Sequence, residues 1–332
     1  MGSLRSFVGL AVGALVVGTL SSVSPATAAD DASEAAARPT APARVVAGAR
    51  SQRTPAEIRA YWTPERMAAA VPIEELLPDL LGGVLGSATG DRDRAGDRAG
   101  ATDARGEVVR APRSTGKLFF NVDGADAVCT ASAIDTPKGN QVITAGHCVH
   151  TGPNPGGLLP PPPHFYSDWV FVPRYRNGAA PFGRWVSDKP FVFAGWAEEE
   201  AFKFDQAIIT FRRLERRRLV DVVGGNEVVW GNDQRQWGTR IWGWPAESPY
   251  DGETSKRCDG RTVRFEESAD AAMYDCDLTG GASGGPWYLP RGRTDNTGRI
   301  WAITSRRVIN DPILLARPIP SEIRRMIRTA NN

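Results

Sequence analysis

A chain of 332 residues with 41% hydrophobic and 23% charged residues has the composition of an ordinary soluble folded protein. Its 40 Lys and Arg against 38 Asp and Glu leave a formal charge of +2, which excludes the concentrated basic surface of a nucleic-acid binder. Four Cys are enough for two staples but too few for a disulfide-dense scaffold, and the only His are His147, His150 and His164.

The first thirty residues carry Arg5 and then an apolar stretch from Phe7 to Leu20. Ala26-Thr27-Ala28 follows with the small-x-small pattern of a cleavage site, so residues 1–28 are expected to be a signal peptide cut after Ala28. The stretch is shorter than the roughly 20 residues of a membrane span. An exported chain meets oxidising conditions, which makes paired cysteines the expectation. From Ala29 to Arg113 the sequence is dominated by Ala, Pro and Arg, and 91–105 reads DRDRAGDRAGATDAR. Such composition offers little apolar surface against chain entropy, so 29–113 reads as a largely disordered, removable pro-segment or linker. Within it, the Thr54–Leu81 stretch carries Ile58, Trp62 and Met67 among helix formers, and Pro64, Pro72 and Pro78 chop it into short pieces, which predicts two brief helices.

After Ser114 short β-branched and aromatic runs take over: KLFFNV, QVITAG, WVFVPRY, FVFAGW, FDQAIITF, RIWGWP and RIWAITS. Gly, Pro, Asn and Asp punctuate them, which predicts an all-β sandwich or barrel over 114–332. The end of the chain, EIRRMIRT after Pro320-Ser321, predicts a short C-terminal helix with Ser321 as its N-cap.

Three motifs carry chemistry. Ser283 lies in GGASGGP, where nothing crowds the hydroxyl and backbone N–H groups can converge on an oxyanion. His147 follows a strand-like run in TAGHC, and Asp205 precedes the apolar run AIITF. Nucleophilic acyl transfer needs such a set: a hydroxyl, a base for its proton and a carboxylate that orients the base. GASGG also fits the G-x-S-x-G elbow of α/β-hydrolases, but there the His follows the Ser, and all three His here precede Ser283. There is no HExxH and no paired CxxC, so the sequence offers no zinc site.

TAGHC, FDQAII and GGASGGP, in that order and spaced by 58 and 78 residues, resemble the chymotrypsin-like (trypsin-like) serine proteases. The resemblance covers about residues 114–320. It implies two antiparallel six-stranded β-barrels with the site at their junction. Ser283 then corresponds to the nucleophile, His147 to the general base, Asp205 to its orienting acid, and the N–H groups of Gly281 and Ser283 to the oxyanion hole. It further implies disulfides Cys129–Cys148 and Cys258–Cys276, no metal or other cofactor, and a secreted monomer. Its partners would be protein or peptide substrates, with neither nucleic acid nor a stable membrane contact.

Ala282 stands where animal-type members have the Asp that receives a new N-terminus. The chain therefore looks more like the bacterial branch that includes glutamyl endopeptidases. Asp277 aligns with the floor of the substrate pocket and Thr304-Ser305-Arg306 with its wall; Arg306 or Arg307 would draw an acidic side chain, Asp277 a basic one. The implied activity is that of a serine endopeptidase. The alternatives are a catalytically silent binding module and an esterase on the same scaffold. Arg110 and Arg113 are the expected points for cutting away the pro-segment. The Trp cluster, Trp230, Trp237, Trp242 and Trp244, is expected to pack the second barrel.

Overall fold

The β-branched and aromatic runs form two sheets, seen in a computed structural model that describes residues 40–77, 107–154 and 161–332 except 267, 291 and 295. Three short strands precede the motif-bearing region: β1 (Val45–Ala47), β2 (Val71–Pro72) and β3 (Glu107–Val108). The first sheet is built from β4 (Thr115–Val122), β5 (Ala125–Ile134), β6 (Gln141–Thr144), β7 (Ser167–Pro173), β8 (Trp185–Phe193) and β9 (Ala207–Phe211). The second holds β10 (Glu227–Val228), β11 (Thr239–Gly243), β12 (Lys256–Gly260), β13 (Val263–Arg264), β14 (Ala271–Tyr274), β15 (Pro286–Tyr288), β16 (Arg299–Arg307) and β17 (Ile313–Pro318).

In the first sheet the order β8-β7-β4-β5-β6-β9 closes on itself, because β8 also pairs with β9 in the register Phe191–Ile208. That is a six-stranded antiparallel barrel, with Phe119, Phe171, Val172, Ile208 and Ile209 all buried on its strands. The second sheet runs β13-β14-β17-β16-β15-β11-β12-β3 and no ladder joins its two ends among the described residues. The all-β expectation holds, but the second unit is an open half-barrel rather than a closed one. Its own core packs Ile241, Met273, Leu314 and the edge-to-face pair Trp287–Trp301. The C-terminal helix is Ile323–Asn331 and buries Ile323, Met326 and Ala330, one stripe of its surface. Its first cap position is Glu322, without a side-chain cap bond, rather than Ser321.

The segment before residue 114 departs most from expectation. The two brief helices are present as α1 (Pro55–Tyr61) and α2 (Pro64–Ala69), followed by the single turn α3 (Ile73–Leu76). Yet 40–77 is not a loose tether. Thr54 and Glu57 form a reciprocal capping box at α1, and Thr63 accepts the Arg66 N–H at α2. Strand β1 pairs with β8, and β2 adds in parallel to β5 with Val71 opposite Ala127.

Ile58, Trp62, Met67 and Ile73 are fully buried against the barrel, with the Trp62 ring 5.5 Å from Phe119. Trp62 Nε1–H donates to the Asp168 carbonyl at 2.9 Å, while the Tyr61 hydroxyl and the Arg66 guanidinium both reach Asp126. A polar average over 85 residues hid four large apolar anchors, and these decide where the segment goes. The cut expected at Ala28 and the 91–105 run lie outside the described residues.

Candidate active site

The three motifs end at the seam between the sheets. Strand β6 delivers His147 into a one-turn 3₁₀ helix, Gly146–Cys148, pinned from behind by the Cys129–Cys148 disulfide. Asp205 caps another such turn, Phe202–Phe204, immediately before β9. Ser283 sits in the turn that leads into β15. Thr130 of β5 locks that turn to the first barrel: its N–H donates to the Ser283 carbonyl at 2.7 Å and its hydroxyl to the Gly281 carbonyl at 2.9 Å.

Two glycines of the serine motif are sterically required. Gly284 has φ +79°, and a Cβ there would lie 2.1 Å from Thr144 Oγ1 and 2.3 Å from the Thr130 carbonyl oxygen. Gly281 has φ +89°, with Trp244 O 2.7 Å from such a Cβ.

His147 and Asp205 are buried together. The carboxylate takes the His147 backbone N–H on Oδ1 at 2.9 Å, and ring Nδ1 lies 2.9 Å from Oδ2. An ionised carboxylate only accepts, so the ring proton sits on Nδ1 and Nε2 presents its lone pair. Burial opposes charge on the ring, but the Asp205 carboxylate outweighs it, with help from Glu74, and the His147 pKa lies above its ordinary 6.5. Burial likewise pushes Asp205 up, while the charge and hydrogen bonds of His147 and the bond from Ser305 hold it below 3.8. His147 Nε2 is buried and makes no hydrogen bond among the described residues.

The Ser283 hydroxyl points elsewhere. It donates to Glu74 Oε1 in a short hydrogen bond, and the Gly281 N–H donates to Oε2 of the same carboxylate at 3.1 Å. The expected bridge from hydroxyl through imidazole to carboxylate is therefore present in its acid half only. Glu74 lies in the Thr54–Leu81 stretch, where no sequence motif marks this residue.

The residues proposed for the substrate pocket separate into different roles. Ser305 sits at a register shift in β16, where a bulge turns its hydroxyl onto Asp205 Oδ2 at 2.6 Å. It supports the acid and does not face outward. Thr304 accepts from Trp287 Nε1 at 2.9 Å and exchanges backbone bonds with Gly284 and Gly285 beneath the serine turn. Arg306 is held by Asp270 at 2.6 Å with its guanidinium 3.7 Å over the Phe202 ring, and Arg307 pairs with Glu247. Both arginines already hold a carboxylate of this chain. Asp277 is half-buried between the buried Cys276 and Leu278.

The two disulfides are Cys129–Cys148 and Cys258–Cys276. Cys129, His147 and Cys148 cluster closely, but the sulfurs are tied to each other and offer no thiolate to a metal. His150 accepts from the Gly152 N–H, and His164 bridges the Pro162 carbonyl and Asp123. Of the Trp cluster, Trp242 and Trp244 are buried, whereas Trp230 and Trp237 are 42% and 73% exposed. Arg110 and Arg113 are exposed on the rim of a cavity of about 440 Å³ that Arg174, Arg240 and Arg257 also line. No helix among the described residues is long and apolar enough to cross a membrane.

By sequence the chain matches no protein-family profile and no curated protein. By structure it is similar to the protease Anisep from Arthrobacter nicotinovorans, at 28% identity and a TM-score of 0.61, covering 68% of this chain and 98% of that one. It is also similar to the thermostable serine protease AL20 of an extremophilic microorganism, at 25% identity and a TM-score of 0.59, over 66% and 96% of the two chains. A Glu endopeptidase shares the fold at 18% identity and a TM-score of 0.51, over 67% of this chain and 92% of its own. These neighbours are chymotrypsin-like serine proteases, and the resemblance to that family holds in three dimensions.

Proposed function

We propose that this protein is a secreted serine endopeptidase that cleaves peptide bonds through Ser283, His147 and Asp205. The observation that carries the reading is the buried Asp205–His147 pair, whose free ring nitrogen is held in a seam beside a serine turn that presents the Gly281 N–H.

In the reaction His147 Nε2 takes the Ser283 proton as Oγ attacks the scissile carbonyl carbon. The carbonyl oxygen becomes an oxyanion that accepts from the N–H groups of Gly281 and Ser283. Such donors are each worth about 2.7–4 kcal/mol of barrier when fixed in advance. Asp205 stabilises the imidazolium and keeps Nδ1 as the donor, and Ser305 holds Asp205 in turn. Collapse expels the amine with the proton from Nε2, leaving an acyl-serine that water hydrolyses by the same route in reverse. The apolar N-terminal stretch with Ala26-Thr27-Ala28 and the two disulfides support export.

The test is turnover of matched peptide amides and esters ending in Arg, Glu or Phe by the matured protein and by Ser283→Ala. Amide cleavage that disappears in the variant supports the reading. Ester turnover alone makes the protein an esterase, and no turnover of either makes it a binding module.

A further inference from the structure

We infer that Glu74 is a built-in plug, a side-chain carboxylate that keeps the active site latent until residues 71–77 are displaced. The inference rests on the peptidase reading and assigns that site its regulation. Strand β2 sets the placement: Val71 and Pro72 ladder onto Ala127 and Val128 of β5, and the fully buried Ile73 seats α3 beside the serine turn. Glu74, in the first turn of α3, then reaches both groups that the reaction needs. Its Oε2 accepts from the Gly281 N–H at 3.1 Å, where an oxyanion would bind, and its Oε1 accepts from the Ser283 hydroxyl.

A hydroxyl that donates to a carboxylate has its proton turned away from His147 Nε2, so the base has nothing to remove. The fixed negative charge also repels a developing oxyanion at the same N–H. What lies against Ser283 is a side-chain carboxylate, which is resonance-stabilised and a poor electrophile, and not a peptide carbonyl. The contact is inhibitory and is not that of a substrate poised for cleavage.

The plug is anchored through the chain that precedes it. Upstream, β1 pairs with β8, Trp62 is buried against Phe119, and Tyr61 and Arg66 hold Asp126. Pro72 packs over Gly280, where an added Cβ would come within 3.1 Å of it. A single chain cut between residues 77 and 114 therefore leaves Glu74 in place, and activation requires loss of 71–77 itself.

The experiment uses the full-length chain as wild type, Glu74→Ala and Glu74→Gln, and follows fluorophosphonate labelling of Ser283 by intact mass on the uncut species. Charge-assisted hydrogen bonds of this kind correspond to roughly ten- to hundredfold in rate. Glu74→Ala is expected to label at least tenfold faster than wild type, and Glu74→Gln, which keeps the shape but not the charge, severalfold faster. Wild type cut only between 77 and 114 is expected to remain slow.

Equal labelling of wild type and a variant that melts like wild type overturns the inference. Should Glu74→Ala fail to fold, Glu74→Gln decides by the same criterion. A matured wild type, its loss of 71–77 confirmed by mass, that labels while both full-length variants stay slow overturns the plug and spares the peptidase reading. A matured wild type that does not label overturns both.

Discussion

Lys117 is a charged residue on β4, on the strand face it shares with Thr130, 1% exposed, and its burial makes a quantitative prediction. Its Nζ donates to the Gly252 carbonyl at 3.0 Å and lies about 5 Å from the ring centres of Phe119 and Tyr175. Burial lowers its pKa to about 8 against the ordinary 10.5, only partly offset by the charges of Glu253 and Asp251. The gap corresponds to roughly 3 kcal/mol of cost at pH 7. Below pH 8 both states are protonated and the folded chain bears that cost in full. Between pH 8 and 10.5 the folded chain has released the proton while the unfolded chain keeps it, so stability from this residue rises with pH.

Lys117→Met removes the charge but also the bond to Gly252, so the pH dependence of the difference is the sharper observable. Denaturant titrations of wild type and variant at pH 7 and pH 9.5 should show the variant's stability relative to wild type falling by about 2 kcal/mol across that range. A difference that stays constant with pH would refute the assignment of a strained buried ammonium.

Three further outcomes follow from the packing and electrostatics. Gly284→Ala, which sets a methyl against Thr144 Oγ1 and the Thr130 carbonyl, should abolish a cooperative melt or lower its midpoint by many degrees, as read by calorimetry. Trp62→Ala removes a fully buried ring from the segment–barrel contact, at a cost of about 3–5 kcal/mol, and hydrogen exchange should rise first in 40–77. The His147 ring followed by NMR should titrate above pH 6.5 in the full-length chain, and Glu74→Gln should move that midpoint down, because Glu74 contributes to raising it.

What could be read from the sequence was local. TAGHC and GGASGGP announce themselves because small residues surround one polar group, FDQAII because a carboxylate opens an apolar run, and the short apolar runs give the sheets. The support that the Ser305 hydroxyl gives Asp205 is not legible in the sequence because its direction depends on a bulge, and a one-residue register shift swaps the faces of a strand. Arg306 and Arg307 looked available because their acidic partners, Asp270 and Glu247, are distant in the chain. Trp230 and Trp237 were grouped with Trp242 and Trp244 by proximity in sequence, yet only the latter two point into the fold.

Open closure of the second sheet escaped notice because strand propensity says nothing of which edges meet. Glu74 was invisible for a plainer reason: its role exists only once Ile73 is buried and β2 has joined β5. Composition judged the whole of 29–113, whereas four apolar anchors fix 40–77.

The most direct measurement is the intact mass of the matured protein after fluorophosphonate treatment, with the adduct located by peptide mapping. The account predicts one adduct per chain, on Ser283, formed faster as His147 loses its proton and lost in His147→Ala. A folded, matured sample that takes up no adduct, or takes it up elsewhere, would contradict it.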